Sequence, residues 1–286
     1  MKTLQLTHLI TALLLISMGS PVFATEPIDK GQRVFSAGHS FHMFMPKMLA
    51  ELAKAAKIPD HQQAGLSSIG GSYVYQHWNV ADEKNTLKTT LRAGQVDVLT
   101  LSPIYLPDDG IENFAKLGVE HQPDIRVTIQ EFWLPFDVFD VNYKKQKPEP
   151  VDRNARTVAE LRTINEPYYK SMDDHVRALN EKFGKQVVFV VPVGQASLAL
   201  RAKIIAGEAP GLKQQNDLFT DAIGHATAPL QWLTAYCHFA VIYRRSPVGL
   251  PCPAALGKEP HGEALNRLLQ ELAWEAAKAH PLSGLR

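Results

Sequence analysis

Arg33-Val34-Phe35-Ser36-Ala37 is a short β-prone run that stops at Gly38, and His39-Ser40 follow it directly. Downstream, Pro46 to Ala56 (PKMLAELAKAA) sets Met48, Leu49, Leu52 and Ala56 at helical spacing. A strand, a glycine and an amphipathic helix make one crossover unit, and the pattern repeats along the chain. Ala64 to Ile69 is a second strand ending at Gly70-Gly71, and Val96 to Leu101 is a third, ending before Ser102-Pro103. Ile125 to Phe132 and Val187 to Val193 are the fourth and fifth. Helices are expected at Asn85 to Ala93, Ile111 to Val119, Ser171 to Phe183, Ala228 to Ile242 and Leu265 to Ala279. Alternating strands and helices predict an α/β fold, with a parallel sheet of about five strands covered by helices on both faces.

The rhythm breaks at Pro135 to Thr163, which is rich in Lys, Pro, Asp and Asn and contains Phe136, Phe139 and Tyr143. This stretch reads as an insertion at the rim of the sheet, either a lid or a solvated loop. The N-terminus is of another kind. Lys2 precedes the apolar run Leu9 to Ile16, and Val22-Phe23-Ala24 ends the segment with a small residue. That is the pattern of a cleavable signal peptide over residues 1–24, too short in its apolar part to span a bilayer. Residues 25–286 then form a single α/β domain, exported to the periplasm or beyond.

The chain carries 30 basic and 29 acidic residues. Such balance argues against a nucleic-acid or anionic-membrane partner, which calls for a basic face. No segment of the mature chain reads as a membrane span. Two cysteines, Cys237 and Cys252, are present. An oxidising compartment permits a disulfide between them, and two free thiols are the other reading.

In an open parallel sheet, ligands bind beyond the carboxyl ends of the strands. Gly38-His39-Ser40, Gly70-Gly71, Ser102, Glu131 with Trp133, and Gly194-Gln195 all follow strands, so they gather on one rim. Ser40 is the natural nucleophile there, and a serine hydroxyl needs a base to take its proton. A late segment, Asp221-Ala-Ile-Gly-His225, offers an imidazole and an acid together, with Asp217 as a second candidate acid. Backbone amides of Ser40 and Gly71 are candidates to hold a developing oxyanion. His39, His77, Glu131 and Trp133 are candidate walls of the substrate pocket. His39 and His42 flank Ser40, but no carboxylate or thiol accompanies them at ligand spacing, so neither metal nor other cofactor is expected.

These blocks, taken in order, resemble the SGNH (GDSL-type) serine hydrolases. Phe35-Ser-Ala-Gly-His-Ser40-Phe looks like the first block of that family, where Gly and Ser follow the first strand. Ile69-Gly70-Gly71-Ser72 looks like the block-two glycine that donates an oxyanion amide, and Asp221 to His225 looks like the last block, with acid and base. Tyr243 to Leu250 and Leu272-Ala-Trp-Glu275 also look like segments of uncharacterised exported bacterial SGNH-like proteins. The resemblance implies a three-layer, flavodoxin-like sheet and an exported esterase. Ser40 would attack an acyl ester, with an O-acetylated carbohydrate as one candidate, His225 would carry the proton and Asp221 would orient His225. It implies Gly70, Gly71 and Ser102 as the oxyanion region.

Two departures stand out. The family's third block has an asparagine where this chain reads Leu99-Thr100-Leu101-Ser102-Pro103, and three residues rather than two separate Asp221 from His225. They keep two other readings open: a binding protein that retains the scaffold without catalysis, and an acyltransferase.

Overall fold

The computed structural model describes residues 26–140, 151–257 and 261–285. The proposed signal peptide, residues 1–24, and part of the proposed rim insertion lie outside them. In chain order the elements are β1 (Arg33–Gly38), α1 (Met45–Ala55), β2 (Gln62–Ser68), α2 (Val74–Trp78), α3 (Thr86–Arg92), β3 (Val98–Leu101), α4 (Asp109–His121), β4 (Arg126–Glu131), α5 (Val158–Phe183), β5 (Val188–Pro192), α6 (Val193–Ile205), α7 (Ala228–Tyr243) and α8 (His261–Ala279).

All five strands are parallel, in the order β2-β1-β3-β4-β5. This is the flavodoxin-like order, so the expected three-layer α/β/α class is the observed one. β3, β4 and β5 are buried at every position, as a sheet covered on both faces demands. β2 is one of the two edge strands of the sheet; its sequence QQAGLSS is polar and partly exposed, which discourages pairing with another chain. Helix α7 is buried from Trp232 through Tyr243, because its apolar residues run all the way round. It packs between α1 and α8. No helix among the described residues is long and apolar enough to cross a membrane.

The structure corrects the sequence reading in three places. Helix α5 begins at Val158, so the proposed insertion ends before Thr163. Thr157 caps the helix with Glu160 in a capping box, and Pro167 is accommodated inside it, though proline is normally a helix-ending signal. Helices α2 and α6 were not foreseen. The third correction concerns Val193, which is the first residue of α6 rather than the last of β5; the chain passes from strand to helix with no loop. Of the two readings of the cysteines, free thiols are the observed one, and no disulfide joins Cys237 and Cys252. Cys237 is fully buried on α7, where burial pushes its thiol well above the ordinary range. The Cys252 sulfur lies against the Pro253 carbonyl in the following loop.

Beneath the carboxyl end of the sheet lies a buried polar cluster. Gln130 donates from Nε2 to the Phe41 carbonyl at 2.9 Å, so its Oε1 is an acceptor. His42 Nδ1 and His238 Nε2 both donate to that oxygen, at 2.7 and 2.9 Å. The cluster ties the turn after β1 to β4 and to α7, and so fixes the base on which Ser40 stands.

Candidate active site

Ser40 occupies the turn between β1 and α1. His39 and Phe41 on either side are buried, while Ser40 is exposed. The His39 carbonyl accepts from the amides of His42 and Met43, which closes the turn ahead of the helix. The helix N-cap is Phe44, so Ser40 has no capping duty.

The segment Phe219 to Ala226 folds back on itself through an antiparallel bridge. It carries His225 to Ser40, with Nε2 to Oγ at 2.8 Å, across 185 positions of sequence. On its other side His225 Nδ1 meets Asp221 Oδ2 at 2.6 Å. A carboxylate on Nδ1 fixes the proton there and leaves Nε2 to accept from the serine hydroxyl. The aspartate's second oxygen, Oδ1, accepts from the amides of Gly224 and His225 at 2.9 and 3.1 Å. The three intervening residues therefore close an Asp-anchored turn. Partial burial works to raise the Asp221 pKa, but hydrogen bonds from the His225 ring and from the two amides outweigh it and hold the carboxyl below its usual range. Asp217 takes no part. Its carboxylate accepts from the amides of Lys213 and Gln214 at 2.7 and 3.1 Å.

Aromatic packing orients the imidazole. Phe41 stacks on Trp133 with centroids 4.8 Å apart, and the His225 ring meets Phe41 edge-on at 5.4 Å.

Gly70 and Gly71 follow β2 beside the end of β1, where the Ile69 amide donates to the Gly38 carbonyl. Gly71 has φ 54°, a left-handed conformation that favours glycine. His77 braces this turn. Its two ring nitrogens meet the hydroxyls of Ser67 and Ser72, each at 2.7 Å, one on either side of the glycine pair. Ser102 is buried, with its Oγ 3.3 Å from His39 Nε2. His39 in turn accepts from the Phe41 amide at 3.3 Å.

No protein-family model matches the chain, and no curated protein matches it in sequence. Solved structures do. A DUF4886 family protein from Bacteroides uniformis superposes with a TM-score of 0.54 over 90% of this chain and 100% of its own, at 14% identity. What the two share is the fold. Lower TM-scores relate the chain to a protein described as a GDSL-like lipase from Parabacteroides merdae (0.44, 13% identity, 91% of this chain and 98% of that one) and to phospholipase A1 from Streptomyces albidoflavus (0.42, 10% identity, 74% and 99%).

All four residues expected to wall the pocket turn inward instead. His39, His77, Glu131 and Trp133 are 4%, 1%, 1% and 4% exposed. Glu131 ends β4 and Trp133 follows it, and both took the core rather than the rim, while His77 lies on α2 and turns to the serines that bracket the glycine pair. Glu131 lies beneath the start of α6, with Gln195 Nε2 at 3.2 Å from each of its oxygens. Burial pushes its carboxyl up to about 8, against the opposing pull of Gln195. Burial also lowers His42 and His77 to about 4, and His238 well below its ordinary value.

These opposite shifts predict a stability maximum near neutral pH. The histidines have depressed folded pKa values, so their contribution is full above 6.5 and is lost as pH falls toward 4. Glu131 has a raised folded pKa, so its contribution is full below 4.5 and is lost as pH rises through 8. Thermal melts across the acid and alkaline ranges should show both declines. Glu131→Gln should remove the alkaline decline and leave the acid one; an unchanged alkaline limb contradicts this assignment.

Proposed function

We propose that the chain is an exported serine esterase of the SGNH type, and that Ser40, His225 and Asp221 act as nucleophile, base and orienting acid. The observation that carries this reading is the unbroken hydrogen-bond chain from the exposed Ser40 hydroxyl through both nitrogens of His225 to Asp221. It sits at the carboxyl rim of a parallel sheet, where such folds bind ligands.

In this mechanism the Ser40 oxygen attacks an ester carbonyl while His225 Nε2 takes the hydroxyl proton. The amides of Ser40 and Gly71 receive the developing oxyanion. The tetrahedral intermediate collapses, the C–O bond to the alcohol breaks, and the imidazolium returns its proton to the leaving alkoxide. Water then attacks the acyl-serine by the same route, giving the free acid and restoring the hydroxyl. Asp221 keeps the Nδ1 proton in place throughout and stabilises the imidazolium between the two transfers.

The proposed substrate is an acyl ester with a small acyl group, with O-acetylated carbohydrate as the first class to test. Trp133 lends no support to a sugar, since it offers no face to a ligand. One observation favours a binding protein without turnover: Ser102, at the place of the family's asparagine, lies buried with its hydroxyl beside His39. The purified mature protein should hydrolyse p-nitrophenyl acetate and release acetate from an O-acetylated polysaccharide. Saturable polysaccharide binding without acetate release would select the binding protein, and acetyl transfer to an added sugar would select the acyltransferase.

A further inference from the structure

The turn that carries the acid and base is held at five consecutive carbonyls, four of them from outside the turn. Arg153 donates from Nη1 to Asp221 O at 3.2 Å and from Nη2 to Ala222 O at 2.6 Å. The Phe136 amide donates to Ile223 O at 3.1 Å, and Trp133 Nε1 to Gly224 O at 2.8 Å. The Thr220 amide, within the turn, completes the series on His225 O at 2.8 Å. Three of these donors come from the two described ends of the proposed rim insertion. Their own supports are costly structures. Phe136 and Asp137 adopt left-handed φ values of 56° and 54°, which non-glycine residues rarely do. Asp137 is buried and takes both Nη atoms of Arg201, at 2.8 and 2.7 Å, with Arg153 Nε at 3.6 Å. Arg153 also lies over the Phe219 ring, 4.4 Å from its centroid. Gly224 is the residue that lets the clamp close. Its φ is 104°, and an added Cβ would stand 3.2 Å from Arg153 Nη2 and 3.5 Å from Trp133 Nε1.

We infer that Arg153 and Trp133 are positioning residues that clamp the Asp221–His225 turn, and that the segment interrupting the α/β rhythm exists at its two ends to hold the base against Ser40. The inference rests on the serine-hydrolase reading above. Neither residue touches the reacting atoms. Each fixes the backbone on which the imidazole rides, and a displacement of about 1 Å at such a site lowers turnover by roughly 10²-fold. A guanidinium suits this task because its planar fork is pre-organised to address two adjacent carbonyls at once, whereas an ammonium is a point charge with no fixed fork.

Two variants test the clamp. Arg153→Ala leaves Asp137 paired with Arg201, so the buried carboxylate keeps a partner. Trp133→Phe keeps an aromatic face for Phe41, removes the indole donor and leaves a smaller ring in the buried site. The readouts are kcat and KM on p-nitrophenyl acetate, the rate of fluorophosphonate labelling, and the melting temperature. In folded Arg153→Ala, kcat should fall about 10²-fold and in Trp133→Phe about tenfold, both with little change in KM. Millimolar guanidinium should restore a large part of the loss in Arg153→Ala and none in Trp133→Phe. If Arg153→Ala does not fold, Trp133→Phe decides alone. Folded variants that keep kcat within about threefold of wild type, or that change KM with kcat intact, overturn the clamp. A wild-type protein that neither labels nor turns over overturns the serine-hydrolase reading itself, and the clamp's role falls with it.

Discussion

Ser40→Ala should lower ester turnover by about 10⁴- to 10⁶-fold and leave the protein folded. The two halves of this expectation come from different observations. Removing the hydroxyl removes the atom that forms the acyl bond, and what remains is the rate that oxyanion contacts and binding alone supply. The fold should hold because Ser40 is exposed and is not the cap of α1, which is Phe44. An exposed substitution with no such duty moves stability by about 0.5 kcal/mol or less. Turnover on p-nitrophenyl acetate and a thermal melt on the same preparation check both halves. Turnover equal to wild type would remove Ser40 from the mechanism, and a collapsed melting temperature would mean the residue serves the fold.

Asp221→Asn should cost about 10²- to 10⁴-fold in turnover, with the upper end set by the loss of the correct imidazole tautomer. The side chain is 45% exposed, and water can partly replace a carboxylate there, which places the effect below that of a buried triad acid. The two oxygens of Asp221 divide the work. Oδ1 holds the amides of Gly224 and His225, and an asparagine oxygen can take over that task. Oδ2 holds the Nδ1 proton, and an amide NH₂ in its place presents a donor to a donor. The turn should therefore survive while the chemistry suffers. Asp217→Asn is the control, since that carboxylate accepts from backbone amides elsewhere, and its turnover should stay within about threefold of wild type. Equal losses at both positions would contradict the assignment of the acid.

The parts legible in the sequence were those written locally. β1 with its glycine stop, the apolar runs of β3, β4 and β5, and the serine after β1 all announce themselves within about ten residues. The pairing of Ser40 with the Asp221–His225 segment was legible from block order alone, although the two lie far apart in the chain. Trp133 and Glu131 were misplaced for a physical reason. Residues at the ends of parallel strands stand at the rim whichever way their side chains turn, and nothing in the local pattern says that Trp133 points to Gly224 and Glu131 to Gln195. Arg153 was invisible for the same reason. It sits in a polar stretch that looks solvated, yet it is 4% exposed, because Asp137, Phe219 and two carbonyls surround it. A buried arginine is defined by partners that only the fold assembles. Helix α5 could have been read further back, since Thr157-x-x-Glu160 is a capping box, and the proline at 167 hid it.

One measurement tests the central claim most directly. The wild-type protein is treated with a fluorophosphonate, digested, and the adduct located by mass spectrometry. A single phosphonylated peptide spanning Ser40, absent in His225→Ala, is the predicted result, because a serine hydroxyl reacts readily in this way when a neighbouring general base takes its proton, and His225 is the base in contact with Ser40. No adduct, or an adduct elsewhere with Ser40 unmodified, contradicts the account.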